Sequence, residues 1–276
     1  MISIGKVNSL KVTKQLDFGI YLDGMEEGEI LMPKRYVPQD THIGDFLEAF
    51  IYRDSEDKLI ATTETPLAEV GDFACLEVVA VNNIGAFIDW GLPKNILVPF
   101  REQKIKLKEG DNACVYIYLD EETKRIVASA KIEHFLTKDF PPFTPKEQVE
   151  VMIYKLTDLG YKVIVNQAYD GILFKNEVFQ TLNVGEKHSA YIKKVRDDGK
   201  IDVSLYKTGY NQVVDFSVLL IDAIRENEGF VPVTDASSPE TIHAYFGVSK
   251  KVFKKAVGDL YKKRMIRIED NGIRLI

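Results

Sequence analysis

The chain has 276 residues, 45% of them hydrophobic and 28% charged, with a formal net charge of -6. That is enough for two or more domains with real cores. The acidic balance speaks weakly against a nucleic-acid partner, so the distribution of charge has to decide. No run of ~18 apolar residues predicts a membrane span, and the opening MISIGKVNSL lacks the pattern of a signal peptide. The two cysteines, Cys75 and Cys114, lie in separate apolar runs without a C-x-x-C. They read as buried free thiols of a cytoplasmic protein, though a bridge across paired strands stays open.

In chain order, the first informative feature is a repeat. Gly19 and Gly44 are 25 residues apart, as are Gly85 and Gly110, and Gly160 and Gly185. The residue after the second glycine is acidic each time: Asp45, Asp111, Glu186. The sixth is aromatic (Phe50, Tyr116, Tyr191), the seventh isoleucine (Ile51, Ile117, Ile192) and the sixteenth again isoleucine (Ile60, Ile126, Ile201). Three positions on comes a hydroxyl: Thr63, Ser129, Ser204. Gly5 and Gly71 extend the frame backward in the first two copies. The spacing predicts three copies of one unit, 1–65, 66–136 and 146–208, with a stiff Pro-rich linker at 137–145.

Each copy reads as five short strands. In the second, VVAVNNIGAFID is a hairpin around Asn82, Asn83 and Gly85, ILVPF a third strand, ACVYIYL a fourth and RIVASA a fifth. Five strands in ~60–65 residues predict a small closed barrel, with glycines where strands bend. FGIYLD and IGAFID resemble the second strand of S1 domains, and LKEGDNACVYIYLDEETKRIVASAK resembles their G-D…R-I-x-L-S-x-K ending. Where S1 domains often carry histidine in strand three, this chain has Pro33 and Pro99, and the third copy has GYKV in place of G-x-F-V.

After Tyr210 the period turns helical. VVDFSVLLIDAIREN predicts a helix with Val214, Val218, Ile221 and Ile224 on its apolar face. Ser238-Pro239-Glu240 predicts the start of a second, which Gly247 ends, and Ser249 the start of a third. On that third helix Val252, Phe253, Ala256, Val257, Leu260 and Tyr261 share the expected core face, and Lys251, Lys254, Lys255 and Lys262 the opposite one. Asn271-Gly272 predicts a closing hairpin. Three helices and a hairpin are the winged-helix order, placed at 211–276. Residues 241–276 carry nine Lys/Arg against three Asp/Glu, the one strongly basic stretch. The whole is expected to be mainly β with a smaller α/β part, three S1-like OB-type barrels followed by a winged-helix domain. Three such barrels with this C-terminal piece resemble the conserved virulence factor B family of bacterial RNA-binding proteins.

That resemblance implies binding of single-stranded RNA and a role in post-transcriptional control in the cytoplasm. Bases held on aromatic platforms beside cations suit such a ligand. The candidates are Phe18, Tyr21, Lys34 and Arg35 in the first copy and Phe87, Phe100, Arg101, Arg125 and Lys131 in the second. Lys193, Lys194 and Lys200 follow in the third, and Lys251, Lys254, Lys255 and Lys262 on the last helix. Trp90 reads as core or rim packing. In this reading the winged helix adds affinity or recruits a protein partner; two rivals stand beside it, a DNA-binding regulator using the third helix and a protein scaffold favoured by the acidic first two barrels. No P-loop, G-x-S-x-G, H-E-x-x-H or dinucleotide fingerprint appears. His42, His134, His188 and His243 share no ligand spacing. A non-enzyme without cofactor or metal is expected.

Overall fold

The structure is a computed structural model. It describes residues 1–178, 181–206 and 211–276, and within these the side chains of all but residues 176 and 211–215. The chain forms two compact units, Met1–Phe135 and Leu136–Ile276.

Barrel 1 is built from β1 (Val7–Leu16), β2 (Gly19–Asp23), β3 (Glu29–Pro33), β4 (Phe46–Arg53) and β5 (Leu59–Thr62). Barrel 2 uses β6 (Phe73–Val81), β7 (Gly85–Ile88), β8 (Ile96–Pro99), β9 (Asn112–Leu119) and β10 (Ile126–Ser129). Barrel 3 uses β11 (Gln148–Leu156), β12 (Gly160–Val165), β13 (Tyr169–Phe174), β14 (Lys187–Val195) and β15 (Ile201–Ser204). All three close in the same order, first-second-third-fifth-fourth, with only the third and fifth strands parallel.

The repeated residues now have causes. A Cβ on Gly19, Gly85 or Gly160 would lie 2.3, 2.3 or 2.1 Å from the carbonyl oxygen of Met32, Val98 or Leu173 on the next strand. The glycine is therefore needed for close approach rather than for a bend. Each first strand carries a bulge at the same place, between Val12 and Lys14, Val78 and Ala80, and Ile153 and Lys155. Gly5 and Gly71 donate to the carbonyls of Ile51 and Ile117 at positive φ. The third copy puts Lys146 there, with the same bond to Ile192 and φ 76°.

The expected frame slips once. The buried hydroxyl facing the β4 aromatic is Thr62, not Thr63; Phe50 pairs with Thr62 as Tyr116 does with Ser129 and Tyr191 with Ser204. Each of these hydroxyls accepts the N–H two residues on, from Glu64, Lys131 and Tyr206. The slip arises because the β4–β5 turn closes from Asp54 to Lys58, one residue shorter than the Asp120-to-Arg125 turn of barrel 2. Barrel 3 also has the shorter turn, and absorbs the difference in an extra bulge between Ile192 and Lys194.

Each barrel has its own core, but two aromatic side chains of barrel 1 are buried with the core of barrel 2. Phe50 and Tyr52 pack on Trp90 at 5.5 and 6.2 Å between ring centres, and all three are buried with the interior of barrel 2. The Trp90 indole N–H donates to the Lys94 carbonyl at 2.7 Å. Burial in this seam pushes the Tyr52 phenol up to about 12. Gly5 accepts from the Val70 N–H across the join, and Lys6 pairs with Glu69.

In the second unit, Thr137 donates to the Ala168 carbonyl and Phe143 packs edge-on to Tyr169, so the Pro-rich stretch is held against barrel 3. The C-terminal domain consists of α1 (Asn211–Glu226), β16 (Phe230–Val231), α2 (Pro239–Phe246), α3 (Lys250–Lys262), β17 (Ile266–Glu269) and β18 (Gly272–Leu275). Ser238 and Ser249 cap α2 and α3 through Thr241 and Val252, and Gly247 ends α2 in the left-handed conformation. Two expectations fail here. Val218 is 56% exposed; Phe216, Leu220, Ile221 and Ile224 form the buried face of α1, while the Val214 side chain lies outside the described residues. Tyr261 is likewise 56% exposed, because Phe253, Ala256, Val257 and Leu260 already fill the core side of α3.

Candidate nucleic-acid interface

Side chains alternate across a strand, so every second residue of the second, third and fifth strands faces outward. In barrel 1 the register aligns Tyr21, Leu31 and Ile60 in one outward row. In barrel 2 the row is Phe87, Leu97 and Val127. In barrel 3 the same row is Lys162, Ile172 and Asp202. The fold is repeated, but the chemistry of its open face is aromatic twice and ionic once.

On barrel 1, Phe18 is 56% exposed and stands edge-on to Tyr21 at 6.4 Å. Lys14 lies 5.9 Å over the Tyr21 ring and pairs with Glu29. The Lys34 N–H donates to the Phe18 carbonyl, fixing the loop that carries Phe18. The Arg35 guanidinium stacks on Tyr36 at 4.5 Å.

On barrel 2, Phe87 lines a pocket of about 240 Å³ together with Ile84, Leu97, Ile126 and Val127. Barrel 1 adds Arg53, Ser55 and Asp57, from the end of β4 and the β4–β5 turn, to its lining. Asp57 on that turn accepts from Lys94 at 3.1 Å and from Arg125, and these bonds hold its carboxyl below the usual range. Arg53 donates to the Asp57 and Lys124 carbonyls, and Lys94 to the Asp54 carbonyl. Arg125 is legible in the sequence as a cation before the fifth strand. Arg53, Asp57 and Lys94 are not, because only the docking of two barrels brings them to Phe87. Elsewhere on barrel 2, Phe100 is 39% exposed. Arg101 lies 3.9 Å from Glu102 and from Asp120, and Lys131 follows the buried Ser129 hydroxyl.

On barrel 3 the cations are engaged with carboxylates. Lys162 pairs with Asp170, which also accepts from the Tyr154 hydroxyl. Arg196 pairs with Asp202 at 2.6 Å, Lys200 with Asp198, and Lys193 makes two bonds to Glu177. Lys193 and Arg196 both lie over Phe174, at 5.8 and 5.7 Å. Lys194 is exposed. On α3, Lys251, Lys254, Lys255 and Lys262 all face solvent, with Asp235 3.8 Å from Lys254.

Cys75 and Cys114 sit directly opposite each other on β6 and β9 as free thiols, half-exposed rather than buried as expected. They lie on the outer face of the barrel, alternating with buried Ala74, Leu76, Ala113 and Val115. Among the described residues no group of three or more His, Cys, Asp or Glu is placed to hold a metal ion. Nor is any described helix long and apolar enough to cross a membrane.

The S1 domain family matches residues 4–64 and 70–131, and the CvfB-like winged helix domain family matches 219–275. A conserved virulence factor B of Staphylococcus epidermidis is 27% identical over 99% of this chain and 94% of its own length. The chain belongs to the conserved virulence factor B family. A family member from Staphylococcus aureus is 28% identical over 86% of this chain and 81% of its own. A crystal structure from Streptococcus pneumoniae, described as a multidomain protein with nucleic acid binding domains, aligns over 99% of this chain and 98% of its own at 24% identity and a TM-score of 0.45. The S1 matches cover the two barrels with aromatic rows and leave out barrel 3, whose row is ionic. Family and modules make this a nucleic-acid-binding protein.

Proposed function

We propose that the protein binds single-stranded RNA and acts in post-transcriptional regulation in the bacterial cytoplasm. Bases stack on the open faces of barrels 1 and 2, and the phosphate backbone is attracted by the cations of barrel 3 and α3. The observation that carries this reading is the placement of Tyr21 and Phe87 at one register position of two barrels, with Phe18 beside the first. Rings presented outward on a rigid sheet, beside cations, suit the stacking of unpaired bases.

A second reading has its own observation. Four lysines on the solvent face of α3 suit the backbone of duplex DNA, since the corresponding helix of helix-turn-helix proteins enters the major groove. A titration of single-stranded RNA and duplex DNA of one sequence over a range of salt separates the two. Single-stranded RNA is expected to bind more tightly. Lys254→Glu with Lys255→Glu should flatten the slope of log K against log salt by about 0.7 for each phosphate no longer neutralised. Duplex DNA binding more tightly, with all affinity abolished in the lysine variant, would transfer the function to the winged helix. Unchanged RNA affinity and slope in that variant would leave α3 to a protein partner.

A further inference from the structure

The pocket on barrel 2 differs from an open stacking face in being closed on one side by another domain. Its volume, about 240 Å³, falls below the ~300–1,000 Å³ of pockets that bury drug-sized ligands. It has room for one planar ring system and not for a stacked run. Its lining combines Phe87 with the aliphatic Leu97 and Ile126 of barrel 2 and the Asp57 turn of barrel 1.

Among the described residues, Asp57 is the one carboxylate that lines the pocket. An ionised carboxylate has about four lone-pair sites and no donor. Lys94 and Arg125 each take one, on different oxygens, so each oxygen keeps acceptor capacity, and Asp57 lines the pocket. The two cations keep the group charged, and the bonds of Lys94 to the Asp54 carbonyl and Arg53 to the Lys124 carbonyl hold the turn in place. Two adjacent acceptors call for two adjacent donors. Guanine has them in N1–H and the N2 amino group. Adenine and cytosine offer one amino group beside a ring nitrogen acceptor, and uracil one N–H between two carbonyls. Each of those would set a lone pair against the carboxylate, and an unpaired or repelled buried polar group is penalised heavily.

We propose that the pocket between barrels 1 and 2 is a guanine-selective subsite. The base lies on Phe87, its N1–H and N2 amino group donate to Asp57, and Arg125 at the rim meets the adjoining phosphate. This rests on the nucleic-acid reading above and adds to it a base preference written by a residue of the neighbouring barrel.

The test is fluorescence anisotropy on the full chain with a labelled ten-nucleotide oligouridine carrying one central guanosine, inosine or adenosine. The guanosine oligonucleotide is expected to bind about 5–150-fold more tightly than the adenosine one, the range of a good bidentate base contact. Inosine, which lacks the N2 amino group, should fall between. Asp57→Asn should erase the difference between guanosine and adenosine. Equal binding of all three oligonucleotides by the unaltered protein overturns the guanine subsite and leaves RNA binding standing. Failure to bind any of them overturns both. A preference that survives in Asp57→Asn removes Asp57 as its source. If that variant unfolds, the inosine arm, which needs no substitution, decides.

Discussion

Barrels 2 and 3 have the same strand order, the same bulge and the same glycine without room for a side chain, yet one presents Phe87-Leu97-Val127 where the other presents Lys162-Ile172-Asp202. The positions that close a barrel are set by backbone approach and admit few residues. The outward row does not close the barrel, so its residue types are less constrained by the frame. Barrel 3 has kept the frame and exchanged an apolar face for ion pairs such as Lys162–Asp170 and Arg196–Asp202. These half-buried pairs engage the cations of the row with carboxylates, and they offer no ring for a base.

The largest effect expected is at the aromatic seam between barrels 1 and 2. Trp90→Ala removes the ring on which Phe50 and Tyr52 rest. It should destabilise residues 1–135 by about 3–5 kcal/mol and leave the transition of 136–276 in place, as read by chemical denaturation followed by hydrogen exchange. Loss from barrel 2 alone, with barrel 1 as protected as before, would show that the seam is not cooperative.

The frame itself predicts equal sensitivity. Gly19→Ala, Gly85→Ala and Gly160→Ala each drive a methyl against a carbonyl on the next strand. Each should lower the stability of its own unit by about 1–3 kcal/mol, as for other overpacked sites. A harmless Gly160→Ala would mean that barrel 3 has loosened its frame along with its face.

The faces predict the opposite, an unequal response. Phe87→Ala, and separately Phe18→Ala with Tyr21→Ala, should weaken RNA binding by about 1–3 kcal/mol per stacked base without unfolding the chain. Lys162→Ala should cost less and act mainly through the salt slope. An anisotropy titration at two salt concentrations reads both. Equal losses from Phe87→Ala and Lys162→Ala would erase the distinction drawn between the barrels.

The smallest effect concerns Lys146, which occupies at φ 76° the place that glycine holds in the other two copies. Lys146→Gly relieves the strain of a left-handed side chain but frees the unfolded chain, and the two nearly offset. A gain of at most about 1 kcal/mol is expected from denaturant midpoints, and a loss would show that the lysine side chain contributes packing of its own.

Much of the fold is legible in the sequence. The repeat frame locates three barrels because a glycine with no room for a side chain is followed 25 residues later by one at positive φ, and Ser238, Gly247 and Ser249 mark the helices because short polar residues and glycine act there locally. What is not legible depends on residues distant in sequence. An ungapped frame points to Thr63 rather than Thr62, because a shorter turn shifts one strand against its partner and no frame of fixed spacing can register that. Val218 and Tyr261 look apolar at helical spacing, but which side of a helix is covered is settled by the neighbouring elements. Phe18, Tyr21 and Phe87 stand out from the F-G-x-aromatic pattern. The Asp57 wall does not, since it belongs to one barrel and acts on the face of another.

The buried seam at Trp90 also sets how two binding faces combine. Two modules on a flexible tether meet one strand at an effective concentration that depends on tether length. Barrels joined through a buried seam have no tether, so the number of nucleotides between the Tyr21 ring and the Phe87 ring is a property of the protein. Barrels 1 and 2 would then act as a ruler, with avidity for RNAs whose unpaired bases fall at that one interval and little for those whose bases do not.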